Sequence, residues 1–320
     1  MAFDAALASA EKTEAKPTKW QRFKVDLWLT DLNLTEIGIL QHTQHEAASD
    51  QFTKDMEIIG QIREDGKRTG IVAYRKELWK QGKDMKRRLV IKLFSDKMHW
   101  RGTMELLMGR SLQLSIGARG VPVSAYSLNL SRSKQLIQLE RSAQKWVFFP
   151  EKFSFFIETS RGPRFYRLRR NVIGIGADYT LYDDKNRKIG SLDHRIINLG
   201  GSWIVKLDAS QSSAALESVL QMFCTMLRFN GSVRRHVAHE VEQVSRGRAV
   251  RALDSHEADL YENPRRRRLD RSALVQESKL ALQLFREARP DEAVGGFEIG
   301  FQILVGQRLV GIALDPFHPA

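Results

Sequence analysis

Cysteine is almost missing from this chain: Cys224 is the only one in 320 residues. No intramolecular disulfide can form, and a zinc site built on cysteine thiolates is excluded within one chain. That usage suits a reducing compartment, so the cytoplasm or an organelle matrix is the expected location. Cys224 lies in an apolar run, where a lone cysteine acts as a small hydrophobe. Long hydrophobic runs are missing too. The longest uncharged one, 218–227, is too short to cross a bilayer. No transmembrane segment is therefore expected, and any encounter with a membrane is peripheral. The opening residues MAFDAALASAEKTEAKPTKW carry Asp4, Glu11 and Glu14 among lysines. They have neither the apolar centre of a secretory signal nor the acid-poor, Arg-rich look of a transit peptide.

Catalytic motifs are lacking as well. Neither G-x-x-x-x-G-K-[ST] nor G-x-S-x-G occurs. Gly174-Ile175-Gly176 lacks the third glycine of a dinucleotide loop, and a strand rather than a helix is expected after it. His42, His45 and Glu46 spell H-x-x-H-E, as do His236, His239 and Glu240. On a helix each histidine pair shares a face, but zincin motifs need H-E-x-x-H or H-x-x-E-H. Both stretches are read as solvated histidines. No enzyme, metal or cofactor is expected.

Acidic residues are in deficit. There are 51 Lys+Arg against 38 Asp+Glu, a formal net charge of +13. Such a surplus attracts polyanions: an anionic membrane surface, an acidic protein or nucleic acid. It does not choose among them, and it also serves solubility. What the chain does have is core material, with 42% hydrophobic residues, enough for one large domain or a domain with a smaller companion.

Phe23, Val25, Leu27 and Leu29 alternate with polar residues or Trp28, which predicts a half-buried strand. Phe52, Met56, Ile59 and Ile62 fall at helical spacing, with Ser49 or Asp50 as cap and Asp65-Gly66 as stop. Short strands are then expected at 71–78, 89–94, 112–116, 121–128, 135–139, 146–157, 165–168, 179–182, 189–194 and 203–207. Turn signals such as Ser95-Asp96, Arg119-Gly120 and Gly200-Gly201 separate them. Regular short strands with this punctuation indicate a barrel or sandwich.

A helix over 213–229 follows, apolar on almost every side and ended by Asn230-Gly231. A helix apolar all round must be buried, and a barrel wrapped around it would do so. A second helix carries Val233, Val237, Val241 and Val244 on one side. A linker with Asn263-Pro264 and a run of arginines comes next. A third helix over 272–289 and a hairpin of 297–304 with 309–314 complete the chain.

The expected fold class is therefore mainly β with α. It is a closed antiparallel β-barrel around a buried apolar helix, plus a helical C-terminal extension ending in a β-hairpin. Residues 1–19 form a flexible leader, 20–231 the barrel domain with its central helix at 213–229, and 232–320 the extension with the basic linker and terminal hairpin.

Basic clusters are the candidate sites. Arg161, Arg164, Arg167, Arg169 and Arg170 fall in a stretch without acids, and Arg167 and Arg169 share one face of a strand. Lys185, Arg187 and Lys188 lie in the next turn, which antiparallel pairing would bring alongside. Arginine forks suit phosphate oxygens. Lys83, Lys86, Arg87 and Arg88 form a second cluster. Arg265, Arg266, Arg267 and Arg268, with Arg271, form a third that suits a polyanion or an acidic partner.

The segment FYRLRRNVIGIGADYTLYDDKNRKIGSLDHRIINLGGSWIVKLD, residues 165–208, resembles the repeating unit of the tubby C-terminal-like superfamily. That group includes the LURP-one-related proteins and the phospholipid scramblases. The matching residues are 166–173, Gly176, 178–183, 190–192, Leu199-Gly200-Gly201 and 203–205. The resemblance implies a barrel around a buried apolar helix, with 214–229 in the place of that helix. It also implies an Arg and Lys head-group site on the barrel surface. The apolar tail and cysteine-rich stretch of scramblases are absent, so their tail activity is not implied. The expected function is a non-catalytic binding or scaffold module of tubby-like type, engaging anionic lipid head groups or acidic partners through its Arg/Lys clusters. The alternative is a structural subunit of a large assembly, an organellar membrane complex or a ribonucleoprotein.

Overall fold

The computed structural model describes residues 19–28, 50–133, 135–143, 150–160, 162–171, 178–195, 201–248 and 257. Alternation along each strand builds the wall. In β1 (Trp20–Leu27) the side chains of Phe23, Val25 and Leu27 are buried in the core, while Arg22 is exposed and Lys24 half-buried between them. The strands that follow are β2 (Met56–Glu64), β3 (Lys67–Arg75), β4 (Val90–Ser95), β5 (Trp100–Leu106), β6 (Ala125–Leu130) and β7 (Leu136–Arg141). β8 (Lys152–Thr159), β9 (Gly162–Arg170), β10 (Tyr179–Tyr182), β11 (Lys188–Arg195) and β12 (Ser202–Asp208) complete the set. Helix α1 (Lys76–Lys80) follows β3, α2 (Met108–Gly117) follows β5, and α3 (Ala214–Ser245) follows β12.

Among the described residues these twelve strands form one closed antiparallel barrel. Each strand pairs with its neighbours in sequence, and β12 returns to β1 along the register Trp20↔Asp208 to Asp26↔Ser202. Closure removes the two long edges an open sheet would expose, although β7 and β8 pair only from Leu139↔Phe155 to Arg141↔Phe153.

Helix α3 is capped by the Ser213 hydroxyl, which accepts the Leu216 N–H at 3.2 Å. Leu216, Val219, Leu220, Met222, Phe223, Cys224 and Met226 are each 0% exposed. They belong to one core with residues from every strand. The Phe223 ring sits edge-on to Phe153 of β8 at 5.1 Å and to Tyr179 of β10 at 5.2 Å. On β5, a methyl group at Gly102 would meet the Met222 side chain at 3.3 Å.

The structure departs from the sequence expectations at several points. The helix expected around Phe52, Met56, Ile59 and Ile62 is instead β2, and Asp65-Gly66 turns it into β3 with φ of 48° and 78°. Two positive φ values in a row are the mark of a tight hairpin turn. The helical spacing arises from a bulge: the register steps from Ile58↔Ala73 to Gly60↔Val72, leaving Ile59 as an extra residue. Met56 and Ile58 pack in a cluster with Trp28, Ile71 and Phe94, whereas Ile59 and Ile62 join the main core.

The strand expected at 112–116 is part of α2, whose buried Met108, Ser111, Leu112 and Ser115 keep helical spacing. The strand expected at 71–78 ends at Arg75, and β5 was not anticipated. Asn230-Gly231 does not stop the helix. Gly231 is not among the positive-φ glycines, and α3 runs on to Ser245 with Val233 and Val237 fully buried. The expected second helix is its continuation, so residue 231 falls inside one helix. The leader up to residue 18, the helix at 272–289 and the terminal hairpin lie outside the described residues.

Candidate anion-binding surface

Strand pairing aligns basic side chains that are far apart in sequence. One row across the outer face runs Lys152 (β8), Arg169 (β9), Thr180 (β10), Ser191 (β11), Lys206 (β12) and Arg22 (β1). A second runs Ser154, Arg167, Tyr182 and Lys188 across β8 to β11. Strands lie about 4.8 Å apart, so the longer row covers about 24 Å measured around the curved barrel wall. Arg169, Lys188, Lys206 and Arg22 are exposed, and Lys152 and Arg167 are half-buried. The two rows carry six cations and no carboxylate; the nearby Asp193 reaches Lys206 at 3.3 Å.

An aromatic edge adjoins the rows. Phe156 is 59% exposed and packs on Phe165 at 4.8 Å, and the Arg167 guanidinium lies 5.5 Å from the Phe165 ring. Trp20, on the same face of β1 as Arg22, is 45% exposed.

The basic residues picked out in the sequence fall in different places. Arg167, Arg169 and Lys188 meet on this wall, and Lys185 is exposed in the turn before β11. Arg164 and Arg170 alternate to the other side of β9. Arg164 donates to Gln211 at 2.9 Å. Arg170 ends the strand opposite Tyr179. Arg187 is neutralised in place, with its side chain 2.7 Å from Asp183 and its backbone N–H donating to the same carboxylate at 2.8 Å. Arg161 and Arg265 to Arg268 lie outside the described residues. Of the second cluster, Arg87 stacks 4.4 Å over the Trp79 ring and Arg88 pairs with Glu105 at 3.3 Å, so both serve the fold. Lys152, Lys206 and Arg22 were not singled out. The alternation of β1 and β12 marks Arg22 and Lys206 as outward, but only the register joins them to Arg169.

Burial and hydrogen bonding shift several of the buried titratable groups. Burial alone would raise the Glu151 carboxyl, but the Tyr179 hydroxyl at 2.7 Å, Arg141 at 2.5 Å and Asn230 at 3.2 Å together hold it below its ordinary value. Burial pushes the Cys224 thiol up, which makes it a poor nucleophile. His236 packs edge-on to Trp79 and is pushed down to about 4, chiefly by burial, so it is neutral at physiological pH. The expected solvated histidine is therefore a buried one. Among the described residues no group of three or more His, Cys, Asp or Glu side chains is arranged to hold a metal. His42, His45 and the Gly174-Ile175-Gly176 stretch lie outside them. No described helix is long and apolar enough to cross a membrane.

Comparison with models of known protein families, with curated proteins and with solved structures returns no match.

Proposed function

We propose that this chain is a non-catalytic binding module of tubby-like type that docks on anionic lipid head groups through the outer wall of β8 to β12 and β1. In this reading the apolar first half of α3 lies along the barrel lumen, supported by its complete burial and by the contacts of Phe223 with β8 and β10. The observation that carries the functional reading is the cross-strand row of Lys152, Arg169, Lys206 and Arg22. The row follows the curve of the barrel, so the neighbouring pairs Lys152–Arg169 and Lys206–Arg22 face different directions, and each offers two cations to phosphates of its own. Each basic residue near an anionic leaflet contributes about 1 kcal/mol, and the exposed Trp20 supplies a ring of the kind that settles at head-group level.

Co-sedimentation with vesicles tests this. Vesicles containing phosphatidylserine and a phosphoinositide should bind the full chain in a salt-sensitive way, and phosphatidylcholine alone should not. Equal, negligible binding to both ends the reading. Tight binding of single-stranded RNA without vesicle binding would move it to the ribonucleoprotein alternative.

A further inference from the structure

Helix α2 begins without a cap of its own. Its N-cap position is Leu107, whose side chain offers no acceptor. The first N–H groups of a helix lack intrahelical partners, and burying them unpaired is costly. They are paired here by a residue distant in sequence. One carboxylate oxygen of Glu257 accepts the Gly109 N–H at 2.9 Å, and the other accepts the Arg110 N–H at 2.9 Å. Gly109 and Glu257 are 148 positions apart. Glu257 is only 4% exposed. Burial pushes its carboxyl above the usual range, partly offset by those backbone N–H groups.

Side chains that could compete for this carboxylate are engaged elsewhere. Arg110 reaches Glu140 at 3.1 Å and Gln113 at 3.1 Å, and Arg88 pairs with Glu105. The backbone amides and the positive end of the α2 dipole are what receive Glu257.

We infer that Glu257 is an N-cap supplied from outside the barrel, a clasp that fastens the chain beyond α3 onto the start of α2. A capping carboxylate on the preceding residue would stabilise α2 alone. A cap from residue 257 also ties a position 148 residues away in sequence to the start of α2, so α2 and Glu257 hold each other in place. This inference does not depend on what the outer wall binds.

Amide exchange in the full chain tests it. Amide exchange at Gly109 and Arg110 should speed up about tenfold or more in Glu257→Ala and less in Glu257→Gln, which keeps an acceptor. Core amides such as Leu128 and Leu168 should be unchanged. Unchanged exchange at Gly109 and Arg110 in Glu257→Ala would overturn the clasp. So would loss of protection throughout the barrel, because that would make Glu257 a general stabiliser rather than a local fastener.

Discussion

The side-chain nitrogen of Asn230, midway along α3, lies 3.2 Å from each carboxylate oxygen of Glu151, which immediately precedes β8. The contact explains why α3 passes through Asn230-Gly231. The asparagine amide is engaged by the barrel, so it does not turn back on its own backbone to end the helix. Glu151 also accepts from Arg141 and Tyr179, and the side chains of Arg141 and Glu151 are 8% and 7% exposed.

Removing that carboxylate should be costly. Glu151→Ala leaves the Arg141 charge buried without its partner, a loss of about 3–5 kcal/mol. Asn230→Ala removes one amide donor shared between the two oxygens of a charged carboxylate and should cost about 1.5–3 kcal/mol. Chemical denaturation of the two variants measures both. A Glu151→Ala chain as stable as the parent would show that the cluster contributes little.

The barrel was legible from strands whose alternation is regular, such as β1, β10 and β12, because a wall with one face in the core imposes period two. It was hidden where local chemistry breaks the period. The bulge at Ile59 spaced apolar residues like a helix, and 112–116 read as a strand because Leu112, Leu114 and Ile116 alternate with Gln113 and Ser115, whereas the buried face of α2 is Met108, Ser111, Leu112 and Ser115. Those serines are satisfied inside the fold: Ser111 and Ser115 donate to Leu107 and Ser111 carbonyls at 2.5 and 2.6 Å and accept from Ala125 and Val123 N–H groups. The candidate surface was half legible. Arg167, Arg169 and Lys188 are close in sequence, but Lys206 and Arg22 join them only through the closure of β12 on β1.

Gly60 is required by backbone proximity. A Cβ there would stand 2.4 Å from the Asp26 carbonyl oxygen and 2.7 Å from the Leu27 side chain, where Gly60 pairs with Leu27 of β1 beside the β2–β3 bulge. Gly60→Ala should destabilise by about 2–3 kcal/mol. Gly117→Ala, with nothing within 4 Å of its added methyl, should be neutral or stabilise by up to about 1 kcal/mol. Thermal unfolding of the pair separates crowding from a general intolerance of alanine.

Acidification should weaken the fold through His236. Its folded pKa of about 4 lies below the ordinary 6.5, so the unfolded chain binds its proton first. The contribution is complete above pH 6.5 and is lost as pH falls toward 4, amounting to at most about 3 kcal/mol. Burial is the main cause, and the Arg87 and His239 charges add to it, while Asp84 opposes it. Glu240, raised chiefly by burial, works in the opposite direction. The comparison is therefore between parent and His236→Leu at pH 7 and pH 5. The variant should lose less stability over that interval; an identical loss would exclude His236 as a source.

The outer wall makes the sharpest demand on position rather than on total charge. Arg169→Glu with Lys206→Glu reverses two members of one cross-strand row. At about 1 kcal/mol per charge near an anionic leaflet, affinity for anionic vesicles should fall by about 2–4 kcal/mol, at least about thirtyfold. Lys80→Glu with Arg119→Glu makes the same change in net charge at exposed positions in or beside α1 and α2, away from the row. If the row binds, the first pair abolishes vesicle binding and the second leaves most of it, and the salt dependence flattens only in the first. Equal losses in both would mean that the +13 surplus acts diffusely and that the alignment of Lys152, Arg169, Lys206 and Arg22 has no part in binding.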